Sequence, residues 1–160
     1  MDDPMAQLEL LYRDNASAIL AYFRRQPALA GEAEDLLQDT FVRALQGFAR
    51  LQASASPRAY LFGIARYVGH DAARSLAPNL ELATDPPSPT VPAEDIRLEP
   101  LRAAVGSLPE PHRETLLLKL HHDLSYEEIA EVLGIPIGTV RSRLHHAVSL
   151  LRATLNPPSL

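Results

Sequence analysis

The chain has 160 residues, of which 46% are apolar and 22% are charged, and its formal net charge at pH 7 is -5. This composition is typical of a soluble globular protein with one or two small domains. The absence of cysteine excludes disulfides and thiolate metal sites, and no apolar run could span a membrane or serve as a signal sequence, so we expect a cytoplasmic protein without membrane insertion.

Two helices are predicted over the first fifty residues. Asp3 followed by Pro4 is typical of a helix start, and Gln26-Pro27 ends this first helix. Its apolar stripe consists of Leu8, Leu11, Tyr12, Ile19, Leu20 and Phe23. A second helix begins near Gly31, with Glu32, Glu34 and Asp35 at its positive end. It is predicted to bury Leu36, Leu37, Phe41, Leu45 and Phe48, whereas its other face is mixed and polar.

A third helix is predicted from Ser56-Pro57, which combines a capping serine with a proline in the first turn. Its stripe is Leu61, Ile64, Ala65, Val68 and Ala72, and off that stripe lie Arg58, Arg66, His70 and Arg74. Together the three helices make a small bundle over residues 1–76.

Residues 77–93, APNLELATDPPSPTVPA, contain five prolines and few groups that could form a core. We therefore predict an extended, solvent-exposed linker that separates the bundle from a second domain at 94–160. The acidic excess of the chain is concentrated here, because residues 77–100 hold five acidic residues and one basic residue.

The second domain is also predicted to be helical. One helix starts near Glu94 or Glu99 and ends by Gly106, and Pro109 or Pro111 opens the next. This next helix is predicted to bury Leu116, Leu117 and Leu120. Since no alternating strand pattern is present, we expect an all-α protein of two small helical domains joined by the linker.

The stretch from Ser125 to Leu151 predicts a helix-turn-helix. Ser125 and Glu128 have the spacing of a capping box, and Gly134 supplies a left-handed residue that ends the first helix. Its stripe is Ile129, Val132 and Leu133, with Ala130 small enough for a close helix crossing. After Pro136 a second stripe follows at Val140, Leu144, Val148 and Leu151.

The second helix of such a motif normally lies in a DNA major groove. The stripe turns Thr139, Arg141, Ser142, Arg143, His145 and His146 partly outward, and no Asp or Glu follows Glu131. An outer face free of acids suits an approach to phosphates. The alternative is an ordinary helical hairpin in a structural domain, in which the same caps serve packing alone.

Three blocks of the chain together resemble a known family. These are AEDLLQDTFVRAL (33–45), SPRAYLFGIARYVGHDAAR (56–74) and LPEPHRETLLLKLHHDLSYEEIAEVLGIPIGTVRSRLHHA (108–147). In this order they look like an extracytoplasmic-function sigma factor of bacterial RNA polymerase, and SPRAYLFGIA is more particularly similar to the iron-uptake branch. The last block alone would also fit other transcription regulators, such as the DNA-binding ends of response regulators.

The resemblance implies a role for each block. The first domain would be a region-2-like bundle that binds core polymerase and opens the promoter near the -10 element, and the second a region-4-like domain that binds the -35 element. Docking on the clamp helices of the largest subunit would use Glu34, Asp35, Gln38, Asp39 and Arg43. Contacts to the -10 region would use Arg58, Tyr60, Arg66, Tyr67, His70 and Arg74. Further implied partners are the flap of the second-largest subunit and an anti-sigma factor.

The chain departs from the family pattern at several positions. Gly63 replaces a usual basic residue, Tyr67 a usual asparagine, and Ser75-Leu76-Ala77 a usual run of arginines. In the last helix, His145 and His146 occupy usual basic or aromatic positions, and histidine is mostly neutral near pH 7. The first three departures are expected to weaken the hold on single-stranded DNA, and the two histidines to weaken the phosphate contacts of the last helix.

Other functional classes have less support in the sequence. The alternative function is a sigma-like DNA-binding regulator or adaptor that has lost promoter opening. For the residues assigned to polymerase docking, the alternative is an ordinary solvated helix face. No catalytic constellation or phosphate loop occurs, so we expect neither an enzyme nor a cofactor. The adjacent pairs His121-His122 and His145-His146 point in different directions on a helix, so no metal site is predicted.

Overall fold

The computed structural model describes residues 3–80 and 98–157 of the chain. The predicted all-α fold is confirmed, because helices dominate these residues and no strand occurs among them. The chain divides into two compact units, Met1–Thr90 and Val91–Leu160.

The first unit contains helices α1 (Pro4–Arg24), α2 (Ala33–Gln46), α3 (Phe48–Ala53) and α4 (Pro57–Leu80), with a 3-10 turn at Ala30–Glu32. The predicted starts of α1 and α4 have the expected caps. The Asp3 carboxylate accepts a hydrogen bond from the Met5 N–H at 3.1 Å, and the Ser56 hydroxyl accepts one from the Ala59 N–H at 3.1 Å. These bonds satisfy backbone donors that a helix start leaves free.

Helix α2 packs against both α1 and α4 to form the core of the first unit. The side chains of Ile19, Phe23, Leu51, Leu61 and Phe62 are buried there. Thr40 is also buried, and its hydroxyl donates to the Leu36 carbonyl at 2.7 Å, so the apolar core holds no unsatisfied hydroxyl at this point.

The second predicted helix differs from the structure at its C-terminal end. Leu45 is 40% exposed, whereas its neighbour Ala44 is buried, and Gly47 ends α2. Phe48 begins the separate short helix α3, which the sequence did not predict and which buries Leu51. The bend at Gly47 gives the following residues a new helix axis, so the spacing counted from Leu36 no longer applies to Phe48.

Helix α4 continues to Leu80, four residues into the stretch predicted to be linker. Its buried side is Ala59, Leu61, Phe62, Ala65 and Val68, whereas Ile64 and Ala72 are half-buried. The rest of the predicted linker, from residue 81 onward, lies outside the described residues.

The second unit contains helices α5 (Glu99–Gly106), α6 (Glu110–His122), α7 (Tyr126–Leu133) and α8 (Ile137–Leu155). Pro100 and Pro111 each occupy the first turn of their helix, where proline is tolerated. Helix α8 packs against α5, α6 and α7, and it is therefore the central element of this unit.

The buried faces of α6 and α8 differ from the predicted ones. Helix α6 buries Thr115, Leu116, Leu118 and His122, whereas Leu117 is half-buried and Leu120 is 66% exposed. In α8, Ala147 is buried and Val148 is exposed. Ala147 follows Val140 by seven residues, which is close to two full turns and therefore the same side of the helix.

Candidate functional site

The turn between α7 and α8 has the predicted helix-turn-helix chemistry. The Ser125 hydroxyl accepts from the Glu128 N–H at 3.0 Å, and a Glu128 carboxylate oxygen accepts from the Ser125 N–H at 2.9 Å, so both halves of the capping box form. Gly134 ends α7 with φ 66°, a left-handed conformation that costs a residue with a Cβ more than glycine. Pro136 then precedes α8 in an extended conformation.

Helix α8 carries the six residues that the sequence singled out, and we call it the candidate recognition helix. Buried Val140, Leu144 and Ala147 fix the side that packs on the unit. Arg141, Ser142, His145 and His146 are exposed, whereas Thr139 and Arg143 are half-buried. The exposed side thus holds an arginine, two histidines and a hydroxyl group, all of which can donate hydrogen bonds to DNA.

A histidine that the sequence did not single out lies beside this helix. The His112 ring of α6 is 5.9 Å from the His146 ring between centroids, and His145 and His146 are 6.1 Å apart. The Nδ1 atom of His112 is buried and has no hydrogen-bond partner among the described residues. His146 is therefore a neighbour of α6 as well as an exposed residue of the recognition helix.

No candidate metal centre forms around these histidines in the part of the chain that the structure describes. Within residues 3–80 and 98–157, no group of three or more histidine and carboxylate side chains has the arrangement that could hold a metal ion.

The residues expected near the -10 region lie along α4, but they do not all share one side. Tyr60, Tyr67 and Arg74 follow one another at intervals of seven residues, so they form a stripe that we call the α4 stripe. His70 is next to this stripe, and Arg66 lies further round the helix. Tyr67, His70 and Arg74 are exposed, and Tyr60 and Arg66 are half-buried.

Arg58 lies away from the α4 stripe. Its guanidinium carbon is 5.9 Å from the centroid of the buried Phe62 ring, which is a cation–π distance. The structure thus brings Arg58 together with the core of the first unit, and not with Tyr67 and Arg74.

Tyr60 lies close to Gly47, the residue between α2 and α3. A Cβ atom on Gly47 would lie 3.3 Å from the Tyr60 hydroxyl oxygen, so the absence of a side chain at Gly47 leaves room for this tyrosine. The glycine that separates α2 from α3 therefore also sets the surroundings of one residue of the α4 stripe.

The acidic side of α2 holds the residues expected to dock on polymerase. Glu34, Asp35 and Gln38 are exposed, and the Glu34 carboxylate is 3.5 Å from the Arg24 guanidinium of α1. Asp39 accepts a hydrogen bond from Arg43 Nε at 3.2 Å. With side-chain exposures of 44% and 37%, the Asp39–Arg43 pair is well solvated and adds little to stability.

Arg43 joins the acidic side of α2 to the α4 stripe. Its guanidinium carbon lies over the Tyr67 ring, 5.2 Å from the centroid. The hydrogen bond to Asp39 raises the pKa of Arg43 above its usual value, and a hydrogen bond with the Tyr67 side chain raises it to a smaller extent. The sequence placed Arg43 and Tyr67 on two different surfaces, whereas the structure makes them neighbours.

Comparisons with known families match both units. The family described as sigma-70 region 2 matches residues 11–78, and the family described as sigma-70, region 4 matches residues 98–151. The described parts of both units thus lie almost entirely within the two matched regions.

Individual proteins are similar over most of the chain. The ECF RNA polymerase sigma factor SigL of Mycobacterium tuberculosis is 36% identical over 158 residues, which cover 94% of this chain and 89% of SigL. The RNA polymerase sigma factor YlaC of Bacillus subtilis is 34% identical over 151 residues, with coverages of 88% and 87%.

A solved structure has a similar fold. The sigma factor RpoE of Bartonella quintana, determined in complex with the anti-sigma factor NepR, aligns with a TM-score of 0.75 and 23% identity over 96% of this chain and 99% of that chain. At 23% identity, this similarity supports a common fold and nothing beyond it.

Proposed function

Because the chain belongs to the extracytoplasmic-function group of the sigma-70 family, we propose that it binds core RNA polymerase and directs it to specific promoters for transcription initiation. The observation that carries this function is the presence of regions 2 and 4 in one chain, with a relative similar across 94% of it. A protein with region 4 alone would lack the region-2 helices that are proposed to bind the clamp helices of the polymerase.

Recognition of the -35 element is assigned to α8. The side chains of Arg141, Ser142, His145 and His146 support this role because they are exposed, and the assignment also includes the half-buried Thr139 and Arg143. The N-terminal part of a recognition helix usually reaches the base edges, and flanking residues hold phosphates.

Binding near the -10 element is assigned to the first unit. The proposed domains are a region-2-like domain at 1–76, a linker at 77–93 whose first four residues continue α4, and a region-4-like domain at 94–160. Exposed aromatic and basic side chains that can hold a single strand lie on the α4 stripe and next to it, namely Tyr67 and Arg74 on the stripe and His70 beside them. Tyr60 and Arg66 are half-buried beside them. Arg58 has the weakest case for a DNA contact, because its guanidinium lies over Phe62.

Core polymerase is assigned two contacts. The acidic side of α2 is proposed to meet the clamp helices of the largest subunit, since exposed carboxylates offer partner choice and orientation through charge. The region-4-like domain is proposed to meet the flap of the second-largest subunit. In this role the chain is a specificity subunit and not an enzyme, and its place is in the cytoplasm with the polymerase.

Replacing Asp35 and Asp39 together by alanine tests the α2 assignment. The double variant is expected to lose affinity for core polymerase, whereas its melting temperature changes little, because exposed charges contribute only tenths of a kcal/mol each to stability. Fluorescence anisotropy of labelled protein titrated with core polymerase measures the affinity.

Glu9→Ala is the matched control, since Glu9 forms a similarly spaced exposed ion pair with Arg13 on α1. Equal core affinity for the Asp35, Asp39 double variant and this control would remove the docking role from α2.

In vitro transcription separates the sigma factor from an adaptor that does not open DNA. Gly63, Tyr67 and the missing arginines at 75–77 are the sequence features that favour the adaptor. Core polymerase with this protein is expected to transcribe both a fully paired promoter and one with a pre-opened -10 segment. Activity on the pre-opened template alone would favour the adaptor, and activity on neither would overturn the proposed function.

Two finer assignments complete the proposal. An anti-sigma factor is proposed as a partner, in keeping with the complex in which a protein of this fold was solved. The iron-uptake branch is proposed from the segment SPRAYLFGIA at 56–65. Transcription that depends on this protein is then expected to rise when cells are depleted of iron, and an unchanged level under depletion would reject the iron-uptake assignment.

A further inference from the structure

We propose that Arg43 is a positioning residue for Tyr67, holding the aromatic ring so that it can stack on an unpaired nucleobase of the opened promoter. This inference rests on the proposed function. It gives Arg43 a different task from direct contact with polymerase, and it links the acidic side of α2 to the DNA-facing side of α4.

The position of Arg43 is itself fixed from α2. Asp39, one turn earlier, accepts a hydrogen bond from the Arg43 Nε atom at 3.2 Å. An arginine held through Nε keeps its flat guanidinium in a defined orientation, which lysine cannot reproduce. The guanidinium carbon is then 5.2 Å from the Tyr67 centroid, within the range in which a cation is attracted to an aromatic face.

Tyr67 retains much of its surface in this arrangement. Its exposure is 56% although Arg43 lies over the ring, so aromatic surface remains for a second partner. An exposed tyrosine on a helix normally samples several rotamers, and contact with a fixed guanidinium restricts them. A restricted ring loses less conformational entropy when a base stacks on it.

A nucleobase is the partner that this surface fits. Bases stack on aromatic side chains whatever their sequence, because each base has a π-face. His70 and Arg74 are exposed on the following turns of the same helix and can hold the phosphates that accompany the base. The positive charge of Arg43, which lies over the other face of the ring, also attracts the electron-rich groups of the approaching strand.

Fluorescence of 2-aminopurine tests the inference with the full chain and core polymerase. The template is a promoter whose non-template strand is unpaired around the -10 element, with 2-aminopurine placed at one position at a time. Stacking on an aromatic ring quenches the fluorescence of 2-aminopurine. Each measurement uses saturating holoenzyme, so differences in core affinity between variants do not enter the signal.

The wild type is expected to quench 2-aminopurine at one position, and Tyr67→Phe to retain most of the quench, because the ring remains and only the hydroxyl that hydrogen-bonds with Arg43 is lost. Tyr67→Ala is expected to lose it and to weaken affinity for the unpaired strand roughly 5- to 150-fold, the range for one base–aromatic stack. Arg43→Ala and Asp39→Asn are expected to reduce the quench while Tyr67 is present. Adding Arg43→Ala to Tyr67→Ala is expected to change nothing further.

Arg43→Lys separates positioning from charge. Lysine keeps the cation without the flat, hydrogen-bonded surface, so the quench is expected to fall between those of wild type and Arg43→Ala. A full wild-type quench in Arg43→Lys would show that Arg43 acts only through its positive charge and does not position the ring. Independent, additive losses from Arg43→Ala and Tyr67→Ala would equally overturn the positioning role.

The second unit provides a matched control. Lys119 Nζ lies 5.5 Å from the Tyr126 centroid, the same kind of cation–aromatic pair away from the α4 stripe. Tyr126→Ala is expected to leave the quench unchanged. If wild-type protein transcribes from this template but Tyr67→Ala quenches normally, the inference fails and the proposed function stands. If wild-type protein does not assemble with core polymerase, the proposed function fails, and the inference fails with it.

Discussion

Arg141 and Arg143 are two residues apart on α8, yet the structure places them differently. Arg141 is exposed, whereas Arg143 is half-buried. Arg141 lies one turn into the helix, where a side chain can reach the groove floor and bond a guanine edge with two donors. Arg143 is better placed to hold a phosphate, which carries no sequence information.

Replacing each arginine by alanine is expected to separate these tasks. Arg141→Ala should cost about 1–3 kcal/mol at the preferred -35 element and relax the preference at one base pair. Arg143→Ala should weaken all duplexes alike and reduce the salt slope by about one unit. Affinities for a set of duplexes with single base changes, measured at several salt concentrations, give both quantities. The same loss of specificity in both variants would contradict the division.

His146 makes the affinity for DNA dependent on pH if its imidazole meets a phosphate. Histidine gains a positive charge as the pH falls from 8 to 6, and a charge beside a phosphate strengthens binding. The wild type is therefore expected to bind its duplex more tightly at pH 6 than at pH 8, and His146→Gln to show a flatter profile. Titration of duplex affinity across this pH range measures the difference.

Two neighbouring histidines serve as controls for this response. The rings of His112 of α6 and His145 of α8 lie 5.9 Å and 6.1 Å from that of His146 between centroids, so both are imidazoles in the immediate neighbourhood of His146. If His112→Gln or His145→Gln flattened the profile and His146→Gln did not, the phosphate contact would belong to the other residue.

Element starts and ends were predictable where the signal is local. The Asp3, Ser56 and Ser125 caps and the left-handed Gly134 act through bonds or dihedral angles within three residues, so the sequence contains all that determines them. The sequence also predicted which side of α8 is exposed at Arg141, Ser142, His145 and His146, because Val140 and Leu144 already define its buried side.

The remaining features depend on packing between elements. Helix α6 offers Leu117 and Leu120 as well as Leu116 and Leu118, and only its contact with α7 and α8 selects the buried set. The Arg43–Tyr67 and His112–His146 contacts join residues that are 24 and 34 positions apart. No periodicity within one helix indicates such neighbours, so the sequence could not predict that the surfaces proposed for polymerase and for DNA adjoin at Arg43 and Tyr67.

Two glycines of α4 differ in the space around them. A Cβ atom on Gly69 would lie 3.2 Å from Leu29 Cδ1 and 3.4 Å from Phe23 Cε1, and both side chains are buried and cannot easily move. A Cβ atom on Gly63 would meet nothing within 4 Å. Gly69 therefore permits close approach of α4 to the core, and Gly63 does not have this task.

Alanine substitutions at the two positions are expected to have opposite effects. Gly63→Ala should raise the free energy of unfolding by about 0.5–1 kcal/mol, because alanine favours a helix over glycine. Gly69→Ala gains the same propensity but overpacks the core, at a cost of about 1–3 kcal/mol. Urea unfolding followed by circular dichroism measures both free energies of unfolding. A Gly69→Ala variant as stable as Gly63→Ala would show that Leu29 and Phe23 can move to make room for the added methyl group.

At the scale of the molecule, the net charge of -5 hides an uneven distribution. Residues 77–100 hold five acidic residues against one basic residue, whereas residues 132–160 hold three arginines and no acid. Nucleic-acid binding depends on the local charge at the contact surface, and not on the total. The negative overall charge is therefore compatible with the proposed binding of DNA through α8.

The proline-rich stretch at 77–93 is predicted to be the most easily cleaved part of the chain. A glutamate-specific protease is the suitable probe, because Glu81 and Glu94 lie in or just beside this stretch, outside the described residues. Competing sites such as Glu34 in α2 and Glu127 in α7 have exposed side chains, but a protease must first unfold the helical backbone there. The first cuts are therefore expected at Glu81 and Glu94, releasing two fragments that resist further digestion because each contains a core of its own. The double variant Glu81→Gln, Glu94→Gln should survive much longer under the same conditions. Mass spectrometry of the early fragments identifies the cut sites, and first cleavage inside α2 or α7 would place the boundary between the units elsewhere.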